Sequence, residues 1–271
     1  MPIIDAHAHC GIQDPSFDQS FEDYLVHVRG SEIEAVVMFP PVMEIYDRYN
    51  PHFVDTPEWQ ARRKRANEHV LTLGTERLEV IPYFFIWNDF AVEQLTRQHR
   101  GIKWHRHPSE PVYHYDDPRC RHALEAIRKR KMPVVLEEEL HHTIRFIQEL
   151  AEGIRVIVPH LGALNGGYRS IAKAGLWDLP NVYADTALAS SYEIMDYIET
   201  FGYERLLFGS DFPFGDPLAE LDTVAELPIS TAMKEAILGL NVKRLLSDSN
   251  RDSSSHSAWG PEKSGQSSTE D

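Results

Sequence analysis

The chain has 271 residues, with 27 lysines and arginines against 42 aspartates and glutamates, a net charge of −15 at pH 7, and two cysteines. Two cysteines exclude a disulfide-stapled secreted framework and point to a reducing, cytoplasmic setting. The negative charge opposes binding to nucleic acid or to an anionic membrane surface, while a hydrophobic fraction of 42% supplies an ordinary core.

The opening MPIIDAHAH carries no basic segment, long apolar run or small-residue cleavage site, so no signal peptide is expected. The longest apolar stretch, Ala35 to Met43, is broken by Pro40 and Pro41 and falls short of the roughly 18–20 residues that cross a bilayer. A soluble protein is expected. In chain order, short β-branched runs predict strands at Ile3–His9, Ala35–Pro40, Leu78–Ile86, Gly101–His107, Pro133–Glu139, Arg155–Leu161, Asn181–Ala187 and Arg205–Pro213. Amphipathic stretches between them predict helices, the clearest being Glu58–Leu73, Pro118–Lys131, Thr143–Gly153 and Tyr192–Phe201. Strands alternating with helices imply a parallel sheet with crossover helices. Residues 250–271 are dominated by Ser, Gly and charge and are expected to form a disordered polar tail. What remains, residues 1–249, is close to the ~250 residues of a single-domain TIM-type (β/α)8 barrel. A doubly wound open sheet is the alternative, but it usually carries a Gly-rich phosphate loop after its first strand, where this chain has HAHCG.

Side chains alternate along a strand, which sets Asp5, His7 and His9 on one face and Ile4, Ala6 and Ala8 on the other. Barrel enzymes place their chemistry at the C-terminal ends of strands. Here the fourth strand carries Lys103, His105 and His107 on one face, the fifth Glu137 and Glu139, the sixth His160 in VIVPHLG, and the eighth Asp211 in FGSDFP. A lone interior histidine is usually a satisfied core residue. Burying His7, His9, His160, Glu137 and Asp211 together without a cation, however, would leave unpaired carboxylates at a cost of several kcal/mol per ion. Imidazoles with carboxylates suit Zn²⁺, Mn²⁺ or Fe²⁺, and the lack of a four-thiolate set argues against a structural zinc or iron–sulfur site.

The motifs IIDAHAHCG, GIKWH, VIVPHLG, FGSDFP and NVKRLL resemble those of the metal-dependent amidohydrolase superfamily across nearly all of residues 1–249. More narrowly they resemble the small amidohydrolase branch that includes aminocarboxymuconate-semialdehyde decarboxylase. The resemblance implies His7 and His9 as metal ligands, Asp211 as ligand or proton acceptor, and His160 as general acid/base. One position departs: where the family reads Pro-Val-x-x-His, this chain reads PVVLE, with Glu137 at the histidine position. Either a carboxylate replaces the imidazole or the site has lost a ligand; replacement is preferred, giving a metal set of His7, His9, Glu137 and Asp211. In dinuclear members a lysine at the place of Lys103 is carboxylated and bridges two metals, but the missing strand-five histidine removes a usual ligand of the second ion. One divalent ion is expected, zinc first, with manganese or iron as alternatives.

The expected activity is hydrolysis of an amide, ester or lactone of a small molecule through a metal-activated water, with His160 and Asp211 sharing proton transfer. Non-oxidative decarboxylation of a small carboxylic acid is the alternative, and a metal-free barrel acting as a binding protein is the reading from another class. The expected partner is a small-molecule substrate, with self-association into a homo-oligomer left open. The segment from Pro40 to Pro57 has the length of a lid. Its Tyr46, Arg48, Tyr49 and His52, with Trp87 and Trp104, are expected to form a partly aromatic pocket, and Lys103, His105, Trp104 and Arg48 are its candidate substrate or supporting residues. Cys10 faces away from His9 and is expected to be a packed thiol, Cys120 has no assigned role, and His141 and His142 read as a surface helix start. The basic runs ARRKRA and IRKRK read as solvated helix faces.

Overall fold

Every predicted strand forms, and each pairs in parallel with its neighbour in chain order. The computed structural model describes residues 2–11, 19–112 and 114–247; the tail expected for residues 250–271 lies outside the described residues. The strands are β1 (Ile3–His9), β2 (Ile33–Phe39), β3 (Glu79–Phe85), β4 (Gly101–His105), β5 (Val134–Glu137), β6 (Val156–Val158), β7 (Val182–Asp185) and β8 (Leu206–Leu207). The later strands are shorter than predicted because their last residues turn out of the sheet. After β6, Pro159 offers no N–H, and His160 and Leu161 adopt left-handed conformations with φ of 56° and 47°. The seam between β8 and β1 is bridged by Ala6 N–H to Phe208 O at 2.8 Å, Asp211 N–H to His7 O at 2.7 Å and His9 N–H to Phe212 O at 2.8 Å. Gly209 permits this approach, since a Cβ there would stand 2.9 Å from His7 Cβ. The chain is thus a single, nearly closed (β/α)8 barrel.

The helices are α1 (Phe21–His27), α2 (Val42–Ile45), α3 (Pro57–His69), α4 (Pro118–Lys129), α5 (Leu140–Arg145), α6 (Tyr168–Lys173), α7 (Ser191–Phe201), α8 (Pro217–Ala225), α9 (Thr231–Glu235) and α10 (Asn241–Ser247). Their starts follow capping chemistry. Thr56 and Asp117 accept backbone N–H groups ahead of Pro57 and Pro118, and Ser190 with Glu193 forms a capping box. The helix predicted at Thr143 begins three residues earlier, at Leu140, and continues after α5 in a wider turn over residues 146–150.

Apolar side chains fall into two layers. Inside the barrel, Ile4, Ala6, Val37, Ile81, Val135 and Ile157 pack together, and Val242, Leu245 and Leu246 of α10 close the N-terminal end beneath them. Between barrel and helices lies the larger layer that contains Ala8, Met38, Trp104, Leu136 and Val158, with Cys10 and Cys120 as buried thiols. The polar cluster of His7, His9, Lys103, Glu137 and Asp211 lies at the C-terminal end of the interior.

Three expectations are corrected. The register of β1 against β2 shifts between Asp5 and Ala8, and this irregularity re-aims the side chains as bulges do. Ile4 and Ala6 therefore share the interior with His7 and His9, while Asp5 turns to the seam, where it accepts from Tyr24 Oη at 2.9 Å and Ser210 Oγ at 2.6 Å. Trp104 leaves the pocket. With Lys103 and His105 pointing inward, its indole points outward and packs edge-on against Tyr115 and Phe146. Arg63, within the run read as solvated, is buried and donates to Ile45 O and to both Asp55 and Asp89. It ties the segment between Pro40 and Pro57 to α3.

Candidate active site

β1 and the turn after β8 bring the first group of polar side chains together. His7 Nδ1 lies 2.8 Å from Asp185 Oδ2, at the end of β7, and His9 Nδ1 lies 3.3 Å from Pro40 O. Both partners can only accept, so each imidazole donates through Nδ1 and turns Nε2 into the barrel interior. The two Nε2 atoms converge on one oxygen, Asp211 Oδ1, at 3.2 Å and 3.3 Å. His160 repeats the arrangement. Its Nδ1 donates to Ala187 O at 3.1 Å, while its Nε2 has no hydrogen-bond partner and stands 3.9 Å from Asp211 Oδ2 and 3.6 Å from Glu137 Oε2. Asp211, like His160, is held in a left-handed conformation, with φ of 55°, the kind of local strain that concentrates at functional sites.

Glu137 lies in an adjoining group. Its Oε2 accepts from the wholly buried Lys103 Nζ at 3.0 Å, and its Oε1 faces His107 Nε2 at 2.6 Å and His105 Nε2 at 3.0 Å. Arg48 Nη2, 3.1 Å from His107 Nδ1, can only donate, so His107 carries its proton on Nε2 and gives it to Glu137. Lys103 Nζ also stands 3.4 Å from His7 Nε2. Of the four residues expected as ligands, then, His7, His9 and Asp211 stand as one cluster. Glu137 clusters with His105 and His107, and Lys103 joins the two groups.

A cavity of about 190 Å³ opens over these groups. Arg48 and His107, from the β2 and β4 loops, form a polar wall; Leu164, Leu188 and Phe214, from the loops after β6, β7 and β8, form an apolar one. Arg48 is held by Glu110 Oε1 at 2.7 Å. Tyr46 and Trp87, expected to line the pocket, stack on each other at 4.1 Å, both fully buried, and Tyr46 Oη donates to Glu110. Tyr49 and His52 are exposed, so the pocket is less aromatic than expected. His141, at the exposed start of α5, and His142 stand with Glu139 in a separate group.

A family model described as amidohydrolase matches residues 4–247. The chain belongs to the amidohydrolase family. No curated protein sequence matches it. Its fold is similar to that of 5-carboxyvanillate decarboxylase from Sphingomonas paucimobilis, with a TM-score of 0.69 and 12% identity over 91% of this chain and 99% of that one. It is also similar to 2,6-dihydroxybenzoate decarboxylase from Rhizobium, with a TM-score of 0.69 and 14% identity over 91% and 98%. A third similar fold is that of a Pseudomonas putida protein described as a 2-pyrone-4,6-dicarboxylic acid hydrolase, with a TM-score of 0.66 and 17% identity over 91% and 97%. Identities this low establish a shared fold. Among the described residues no helix is long and apolar enough to cross a membrane.

Amidohydrolases depend on a metal, and the side chains of this one fit a cation. The Nε2 atoms of His7, His9 and His160 face carboxylate oxygens of Asp211 and Glu137, a donor set of the kind that holds a divalent ion, and the buried His160 Nε2 has no hydrogen-bond partner. Lys103 Nζ, between His7 Nε2 and Glu137 Oε2, supplies a positive charge beside them.

Burial and the Lys103 charge act to lower His7, but the Asp185 and Asp211 carboxylates outweigh them and raise it. Burial pushes His9 down to about 4, leaving a neutral imidazole. Burial acts to raise the Asp211 carboxyl, but the imidazoles of His7 and His9 outweigh it and hold Asp211 well below the carboxylate range. The same opposition holds Glu137 low, with the Lys103 charge as its main counterweight. For His160 burial acts downward, yet Glu137 and Asp211 raise it to about 9.

Two charged residues of the site, as well as its apolar wall, escaped the sequence reading. Asp185 had a usable signal, because NVYAD ends a strand in an acid on the same face as Tyr183, the pattern already read in other strands. Glu110 had none; its role depends on the loop after β4 folding back to Arg48.

Proposed function

We propose that the protein is a hydrolase that opens an amide, ester or lactone of a small molecule with one bound divalent ion, zinc first. His7, His9 and Asp211 would hold the ion, with Glu137 as the fourth donor in exchange for its contact with Lys103. The observation that carries this reading is the two-sided placement of Asp211: Oδ1 faces the His7 and His9 Nε2 atoms, and Oδ2 faces His160 Nε2. Such an ion lowers the pKa of water toward 7 and polarises a carbonyl. Asp211, ionised, accepts the proton of the attacking water. His160, protonated through its nearby carboxylates, returns a proton to the leaving group. The apolar wall of Leu164, Leu188 and Phe214 packs against the body of the substrate and excludes bulk water.

Arg48 favours a second reading. A guanidinium on the cavity wall beside His107 suits a carboxylate, and two of the similar folds are decarboxylases whose names specify ring-bearing acids. Untagged protein should carry about one equivalent of metal and, loaded with zinc or manganese, should open members of a lactone, ester and amide panel. Release of CO₂ from hydroxybenzoate-type acids, with no hydrolysis across the panel, would replace the first reading by the second.

A further inference from the structure

We infer that Asp185 is a positioning residue that sets the tautomer of His7 and fixes the corner carrying His160. The consequence for metal affinity rests on the proposed function above; the tautomer does not.

The alternation of β7 turns Asp185 inward, where it is wholly buried. Its two oxygens have separate tasks. Oδ2 stands 2.8 Å from His7 Nδ1, and Oδ1 accepts the backbone N–H of His160 at 2.8 Å and of Ala187 at 3.2 Å. Asp185 fixes the Nδ1 proton: its carboxylate can only accept and stands 2.8 Å from that nitrogen. Nε2 lies between Asp211 Oδ1 at 3.2 Å and the Lys103 ammonium at 3.4 Å. A neutral imidazole has one proton, and this tautomer alone offers Nε2 to a cation. Oδ1 meanwhile pins the corner at which His160 and Leu161 take φ of 56° and 47°, aiming His160 Nε2 at Asp211 and Glu137.

Asp185→Asn keeps the volume and separates these roles. Its amide oxygen can still accept from His160 and Ala187, which leaves its NH₂ facing His7 Nδ1–H, donor against donor. The opposite amide orientation is worse, with two backbone N–H groups opposed instead of one. His7 relieves the conflict by moving its proton to Nε2, which closes the lone pair that a metal needs.

The test uses the full chain and zinc ions. In competition with a chromophoric chelator, Asp185→Asn should bind zinc roughly 10–100-fold more weakly than the parent, while the metal-free melting temperatures stay within a few degrees. Equal zinc affinity in a folded Asn variant would overturn the inference. Nitrogen NMR of the metal-free parent, labelled at histidine, provides an arm that needs no variant: His7 protonated at Nδ1 supports the assignment and a bare Nδ1 overturns it. If the parent itself binds no zinc, the proposed function fails, and the NMR result still decides the role of Asp185.

Discussion

The Lys103 ammonium lies 3.0 Å from Glu137 Oε2, with both side chains withdrawn from solvent. This contact occupies the strand-five position that departs from the family pattern. A buried charge that loses its partner destabilises by about 3–5 kcal/mol, so Glu137 is tied both to the stability of the barrel and to the proposed metal set.

Glu137→Gln keeps the shape and removes the charge. The expected outcome is a lower metal-free melting temperature, since Lys103 loses its carboxylate, together with weaker metal retention after dialysis. Glu137→His, which installs the family's usual residue, should retain metal. Metal content of the Gln variant equal to that of the parent would remove Glu137 from the ligand set.

His160→Asn should fold and keep its metal, because the Nε2 it removes has no hydrogen-bond partner. A general acid/base contributes about 10²–10⁴-fold, and kcat on a verified substrate should fall by that factor. Unchanged kcat would take His160 out of proton transfer.

His99 carries an acid-sensitive share of stability at a distance from the site. Burial, assisted by the Arg130 charge, holds it down at about 4, from the ordinary histidine value of 6.5. Between those values the unfolded chain binds a proton that the folded chain refuses. The share is therefore whole above pH 6.5, shrinks as pH falls, and is gone below about 4. At ~1.4 kcal/mol per unit, it changes by roughly 2 kcal/mol between pH 7 and pH 5. Urea unfolding at those two pH values should show a gap for the parent that is smaller by about that amount in His99→Asn. Equal gaps would show that His99 contributes none of the acid sensitivity.

Leu245 of α10 is 1% exposed and packs under the barrel interior. Leu245→Ala should cost about 2–5 kcal/mol by chemical denaturation, the range for an unfilled core cavity. Metal content should not change, because the polar centre lies at the other end of the barrel. A loss of stability below 1 kcal/mol would mean that α10 does not serve as the closing plug.

The sequence by itself determined the periodic features of this protein. Apolar runs, breakers and caps act over a few residues, so eight strands with interleaved helices, the starts near Pro57 and Pro118, and the polar endings at His105, Glu137, His160 and Asp211 were all readable locally. So was the family, through motifs lying on those same endings. Tertiary structure alone decided which endings meet. His7 and Asp185 are 178 positions apart in the chain yet share a hydrogen bond. Strict alternation misplaced Asp5 and Ala6 because the irregularity in β1 follows from closing the barrel against the turn after β8, a constraint absent from the strand itself. Arg63 reads as one more charge in a basic run until the segment after β2 folds over it. Glu137 fits a ligand position by pattern, but its neighbours Lys103, His105 and His107 reach it from an adjacent strand and loop. Periodicity records which face a side chain takes; charge pairing between distant strands depends on how the sheet closes.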